Sequence, residues 1–200
     1  MKRLALLLAT LAVLAGCSTS KDAVAIGGTF QFVAPNGRVE ITYDDPDSRG
    51  TVGNLSGPSL LNVGRTVGLD DHTGRIVVIN IWGSWCGPCR TEAPDLEFVQ
   101  QQTASSGATV LGIDIRDDRQ AATDFVHDRG LTYDSIYDSS GRSLASLGGL
   151  PRNVVPQTIV LDKQHRVAAV YLQPIRVATL LPLIQRLAAE PAPAAAQPGG

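Results

Sequence analysis

The sequence predicts an α/β fold built on a mixed central sheet with helices packed against it. Three observations carry that expectation. Ile76–Trp82 is a nearly continuous β-branched run, the pattern of a central strand buried on both faces. Strand-like and helical stretches then alternate as far as residue 137. The chain closes with a strand pair and an amphipathic helix.

The elements follow in order. Residues 29–33 and 38–42 are β-rich and flank Pro35-Asn36-Gly37, which predicts an N-terminal β-hairpin. Residues 44–64 are rich in Asp, Gly, Ser and Pro and read as loop. After the central strand, a helix is expected from the Cys86 turn to about Thr103. It should bend at Pro94, which removes the helix N–H to the carbonyl of Arg90. Residues 109–115 read as strand, 120–129 as helix, 135–137 as a short strand and 143–147 as a short helix. Residues 157–161 and 167–172 pair as a hairpin across 162–166, and 175–189 is the closing helix.

The two ends read differently. Lys2-Arg3 precede an apolar run over residues 4–14, too short for the roughly 20 residues of a bilayer-spanning helix. It suits the core of a signal peptide. The run ends in Leu14-Ala15-Gly16-Cys17, which resembles the bacterial lipoprotein box, whose cysteine is lipid-modified and becomes the first mature residue. The alternative is an ordinary secretory leader with an incidental cysteine. The lipoprotein reading divides the chain into a signal peptide (1–16), a lipid-anchored linker (17–28), a folded domain (29–190) and a low-complexity, disordered tail (191–200). It also accounts for the three cysteines: Cys17 carries lipid, and Cys86 and Cys89 remain as a pair. The protein would then be extracytoplasmic and held on the cell membrane. The net charge is −2, and no basic stripe with interleaved aromatics is present, which argues against a nucleic-acid partner.

Trp85-Cys86-Gly87-Pro88-Cys89 follows the buried strand and opens a helix. Cysteines three apart lie on one helix face, close enough for a disulfide within one turn. The unpaired N–H groups and positive dipole end favour a thiolate at Cys86. Cys86 is thus the attacking thiol and Cys89, deeper, the resolving one. Pro88 sits in the first turn, where its missing N–H costs nothing. A purely stabilising disulfide would close too short a loop to matter. A zinc site would need two more ligands, and His72, His127 and His165 are scattered, so no metal is expected.

Residues 76–172 resemble the thioredoxin superfamily, specifically its membrane-anchored TlpA/ResA-like thiol-disulfide oxidoreductases of the cytochrome c maturation type. The similar segments are Val77-Val-Ile-Asn-Ile-Trp-Gly-Ser-Trp-Cys-Gly-Pro-Cys-Arg-Thr-Glu-Ala-Pro94 and Val155-Pro-Gln-Thr158. The likeness fades over residues 29–65. It implies a thioredoxin-like sandwich with a helix–strand insertion at about 118–138 that shapes the substrate groove. Pro156 stands at the superfamily's cis-proline, against the cysteines, with the Val155 backbone pairing an extended substrate. The alternative is a trans-proline that merely starts a strand. Glu92 stands where a glutamate tunes the thiols and would exchange a proton with Cys89. The alternative is an exposed glutamate favoured by the helix dipole. Asn80 replaces the buried aspartate of classical thioredoxins and shifts proton handling toward Glu92. Alternatively, it is a buried amide satisfied by nearby backbone. Trp85 should cover part of the active-site surface, and Trp82 should pack in or near the core. Asp114, Asp117 and Asp118 read as strand end and helix cap rather than a metal site.

The expected activity is a protein-disulfide reductase with no cofactor beyond the redox-active cysteine pair. The resemblance implies apocytochrome c Cys-x-x-Cys-His sites as substrates and a membrane thiol carrier as electron source. The opposite direction, an oxidase donating its disulfide to secreted proteins, also fits the pair. A copper-binding chaperone on a related fold usually shows Cys-x-x-x-Cys with a distant His, unlike the spacing here. A peroxidase lacks its Thr-x-x-Cys, because position 83 is Gly.

Overall fold

The computed structural model describes residues 28–33 and 37–191. The segment read as a signal peptide, Cys17, most of the expected linker and nearly all of the expected tail lie outside the described residues. The strands are β1 (Glu40–Thr42), β2 (Ser56–Pro58), β3 (Thr66–Gly68), β4 (Ile76–Trp82), β5 (Ala108–Ile115), β6 (Ser135–Asp138), β7 (Gln157–Leu161) and β8 (Val167–Tyr171). The α-helices are α1 (Gly87–Thr103), α2 (Arg119–Arg129) and α3 (Val177–Ala189). Six strands form one mixed sheet in the order β1-β8-β7-β4-β5-β6, and β2 and β3 form a separate two-stranded sheet. β4, β5 and β6 run parallel, while β7, β8 and β1 are antiparallel to their neighbours.

Every residue of β4 is buried, as its β-branched run requires. Its side chains alternate between two cores. Ile76, Val78 and Trp82 face a layer containing Leu96 and Val99 of α1, Phe125 of α2 and Leu180 and Ile184 of α3. Val77, Ile79 and Ile81 face Phe30, Leu55, Val67, Leu69 and Leu147. All three α-helices therefore cover one face. The N-terminal segment, the β2–β3 hairpin and the 3₁₀ turn Ser143–Leu147 cover the other.

Among the described residues, 29–33 and 38–42 do not pair as the expected N-terminal hairpin. Phe30 N donates to Thr51 O, Phe32 N donates to Gly148 O, and Glu40–Thr42 pair with β8. The sheet edge at β8 and the second core offer these β-formers more partners than they could give each other. A different hairpin, β2–β3, occupies the stretch read partly as loop. Its strand Ser56-Gly57-Pro58 has no β-forming side chains, and a Cβ at Gly57 would lie 2.5 Å from Ile136 Cγ2. Close approach to the main sheet selects glycine there, at the cost of the strand signature. α1 continues through Pro94 to Thr103.

Candidate active site

β4 ends at Trp82 and the chain turns through Gly83-Ser84-Trp85 into α1, with Cys86 as N-cap. The backbone N–H of Cys89 donates to Cys86 Sγ at 3.2 Å. A cap sulfur receiving an N–H at the positive helix end is stabilised as a thiolate. Cys86 and Cys89 form a disulfide with Cα atoms 5.3 Å apart. Both are buried, Cys86 4% and Cys89 2% exposed, so the difference in depth is small. Trp85 beside them is 48% exposed, whereas Trp82 is buried against Phe125 with ring centroids 5.1 Å apart.

The β4–β7 register pairs Ile81 with Gln157 and Asn80 with Thr158. That register carries Pro156 to the level of Trp82, next to the turn that bears Cys86. The Val155–Pro156 peptide bond is cis. Gln157 is buried, and its Nε2 donates to the carbonyls of Pro151 and Val154, which ties down the preceding loop.

Glu92 lies one turn beyond Cys89 and is 1% exposed. An exposed, dipole-stabilised glutamate is thereby ruled out. Asn80 Nδ2 donates to Glu92 Oε1 at 2.8 Å, and Ile175 N donates to Oε2 at 2.9 Å. Asn80 Nδ2 also lies 3.2 Å from Thr158 Oγ1. The Nδ2 donor of Asn80 is thus satisfied by side chains. Burial pushes the Glu92 carboxyl up to about 7, against the two donors, which favour the charged form. A carboxyl poised there, on the helix that carries Cys89, can exchange a proton with a neighbour at neutral pH.

The far side of the turn is held by residues that sequence reasoning assigned only to a strand end and a cap. Asp118 does cap α2, accepting from Gln120 N at 2.9 Å and Ala121 N at 3.1 Å. Asp117 instead reaches back to the cysteine turn and accepts from both N and Oγ of Ser84. Arg90 Nε donates to Ser84 O at 2.8 Å. Trp85 Nε1 donates to Ile115 O at 3.2 Å, and the Arg116 guanidinium lies 5.0 Å from the Trp85 ring centroid. Arg116 adopts a left-handed φ of 53°, a conformation that costs a non-glycine residue about 1 kcal/mol. No one-residue signal marks these contacts, because they depend on the parallel β4–β5 pairing that sets Asp114 beside Trp82. Among the described residues, no group of three or more His, Cys, Asp or Glu side chains could hold a metal ion.

A capped, disulfide-bonded cysteine pair at the carboxyl end of the central parallel strands, next to a cis-proline, defines a thioredoxin-like thiol-disulfide oxidoreductase. It works through its own sulfurs without a separate cofactor. The sequence profile of the AhpC/TSA family matches residues 54–170, and the chain belongs to this thioredoxin-superfamily group. The chain is 32% identical over 139 residues to thiol:disulfide interchange protein DsbE of Pseudomonas aeruginosa, covering 67% of this chain and 73% of that protein. It is 27% identical over 104 residues to thiol-disulfide oxidoreductase ResA of Bacillus thuringiensis subsp. konkukian, covering 52% of this chain and 58% of the relative. Among solved structures, a secreted thiol-disulfide isomerase from Corynebacterium glutamicum superposes with a TM-score of 0.79 at 46% identity, covering 82% of this chain and 100% of that one.

Proposed function

We propose that this protein is an extracytoplasmic reductase of protein disulfides, anchored by lipid at Cys17, in which Glu92 handles the proton of Cys89. The observation that carries the proposal is the buried Glu92 carboxyl, held by Asn80 and Ile175 on the helix of the cysteine pair. In the first step the Cys86 thiolate attacks one client sulfur. The client S–S bond breaks, and its electron pair leaves on the other client sulfur, which takes a proton from solvent. In the second step Cys89 gives its proton to the Glu92 carboxylate and attacks Cys86 Sγ. The Cys86–Cys89 disulfide forms and the second client thiolate leaves and is protonated. The client gains two electrons from the two cysteine sulfurs; of its two protons the first comes from solvent and the second is the Cys89 proton, released through Glu92. A membrane dithiol carrier then reduces the pair again.

In this reading Trp85, Val155 and Pro156 form the edge on which an extended client segment lies, its backbone pairing with that of Val155. Clients of the Cys-x-x-Cys-His type, as in apocytochromes c, fit the resemblance to the ResA-like group. The inserted α2 and β6 border a groove of about 640 Å³ with the β2–β3 hairpin, at the carboxyl end of β6, which suits a role in partner choice. A Cys89→Ser variant tests the reading: it should accumulate mixed disulfides through Cys86, with Cys-x-x-Cys-His polypeptides among them. Normal turnover by Cys89→Ser would overturn the assigned roles. A Cys17→Ser change should move the protein from the membrane fraction to the soluble one, and continued membrane attachment would refute the lipid site.

A second reading has its own support. The C. glutamicum structure is described as a secreted thiol-disulfide isomerase, and its likeness spans nearly the whole domain. Such a protein rearranges or donates disulfides in secreted clients. The reduction potential separates the two, since 30 mV corresponds to about 1.4 kcal/mol for this couple. A value near that of strong periplasmic oxidants would contradict the reductase reading.

A further inference from the structure

Three consecutive residues at the end of β5 contact the two residues that precede the nucleophilic turn. Ile115 O accepts from Trp85 Nε1, the Arg116 guanidinium covers the Trp85 ring, and Asp117 accepts twice from Ser84. The indole also lies back over Gly83, where a Cβ would come within 2.5 Å of Nε1. Asp117 is itself tethered, since Tyr137 OH donates to its carbonyl at 3.1 Å. The left-handed Arg116 is the hinge of this arrangement, because its conformation lets neighbouring residues face Trp85 and Ser84 together.

None of these contacts touches a sulfur. They restrain a large side chain that is half exposed and borders the cysteine pair. Restraining such a side chain before a client arrives removes an ordering cost from binding and leaves the bond-breaking step alone. We propose that Arg116 and Asp117 are positioning residues that hold Trp85 and Ser84 as a preformed wall of the client site, and so set affinity for polypeptide disulfides. The proposal rests on the reading of Trp85 as part of the client-binding edge.

Arg116→Gly gives an unusual test. Glycine adopts the same φ without steric cost, so the guanidinium is lost while the backbone conformation is kept. A merely structural Arg116 would change stability alone. The probe is a synthetic peptide closed by a Cys-x-x-Cys disulfide, mixed with the reduced protein. The wall predicts a roughly five- to tenfold rise in KM with kcat changed less than twofold. Acrylamide quenching reports Trp85, since Trp82 is buried, and should rise in Arg116→Gly. Arg116→Lys keeps a cation for the ring and should restore most of the loss. Asp117→Asn, which cannot accept both Ser84 bonds in the same way, should move KM in the same direction. Unchanged KM and unchanged quenching in both Arg116→Gly and Asp117→Asn would overturn the proposal, as would a fall in kcat at constant KM. If the wild type exchanged with no disulfide, the functional reading would fail instead. The quenching would still decide whether Arg116 restrains Trp85.

Discussion

Glu92 and Asp114 are two buried carboxyls on the helix-covered face of the same sheet, and they are treated in opposite ways. Glu92 receives two hydrogen bonds, from Asn80 and Ile175. Asp114, 0% exposed, receives no N–H or hydroxyl hydrogen bond at either oxygen among the described residues; its polar neighbour is the Asp117 carboxyl, with which it can hydrogen-bond only when protonated. Burial raises both acids, Glu92 to about 7 and Asp114 to about 8, with the charge of Asp117 adding to the second. The difference is in what the charged form would meet. Donors already aimed at Glu92 let it ionise without rearrangement. An ionised Asp114 would face the Asp117 carboxylate, and the favourable charge of Arg119 is outweighed by burial and by that neighbour, so the neutral acid is the form its surroundings accept. Burial alone does not distinguish the two acids; on the proposed reading, the donors already in place at Glu92 make it the proton carrier and leave Asp114 neutral.

The comparison can be broken in three places. The largest effect is expected from Glu92→Gln, which keeps the shape and removes the proton acceptor. It should slow the second step by ~100-fold, within the usual range for losing a general base, as read by stopped-flow thiol release. Asn80→Leu should act next most strongly. With one donor gone, burial goes less opposed, and the pH inflection of that step should move up by about one unit. Asp114→Asn should leave exchange unaffected and change the pH dependence of stability. The sign follows from linkage. Both acids are raised in the folded protein, so their contribution is full below about pH 4 and is lost as pH rises through 7 and 8. Urea unfolding of the oxidised protein should therefore show stability falling from pH 5 to 9, on the order of 3 kcal/mol per carboxyl. Asp114→Asn should flatten much of that fall. An unchanged slope would show that Asp114 is not the neutral acid its surroundings imply.

What could be read from the sequence follows a physical pattern. The central strand, the cysteine helix and the closing hairpin and helix were legible because each is specified locally. Their signals are β-branched continuity, a helix start and apolar periodicity. Cys86 and Cys89 stood out by type and spacing, whereas Pro156 and Glu92 were singled out only by the resemblance to the TlpA/ResA-like group. The N-terminal segment was misread because its pairing is set by the distant β8 edge and Thr51. The β2–β3 hairpin was missed because close packing on Ile136 chose Gly57 over a strand-forming residue. Asp117 was read, with Asp114 and Asp118, only as strand end and helix cap. Only the position of the turn after β4 shows that Asp118 caps α2 while Asp117 holds Ser84. Asn80 was visible as a departure, but its direct bond to Glu92 needed the fold.

The most direct test of the central claim mixes reduced protein with a chromogenic aromatic disulfide and follows release of the first and second thiols across pH. The second release reports Cys89 attacking the mixed disulfide at Cys86. The account predicts an inflection near pH 7 in the wild type and in Asp114→Asn, and its loss, with a slower rate, in Glu92→Gln. An inflection and rate that survive Glu92→Gln unchanged would contradict it.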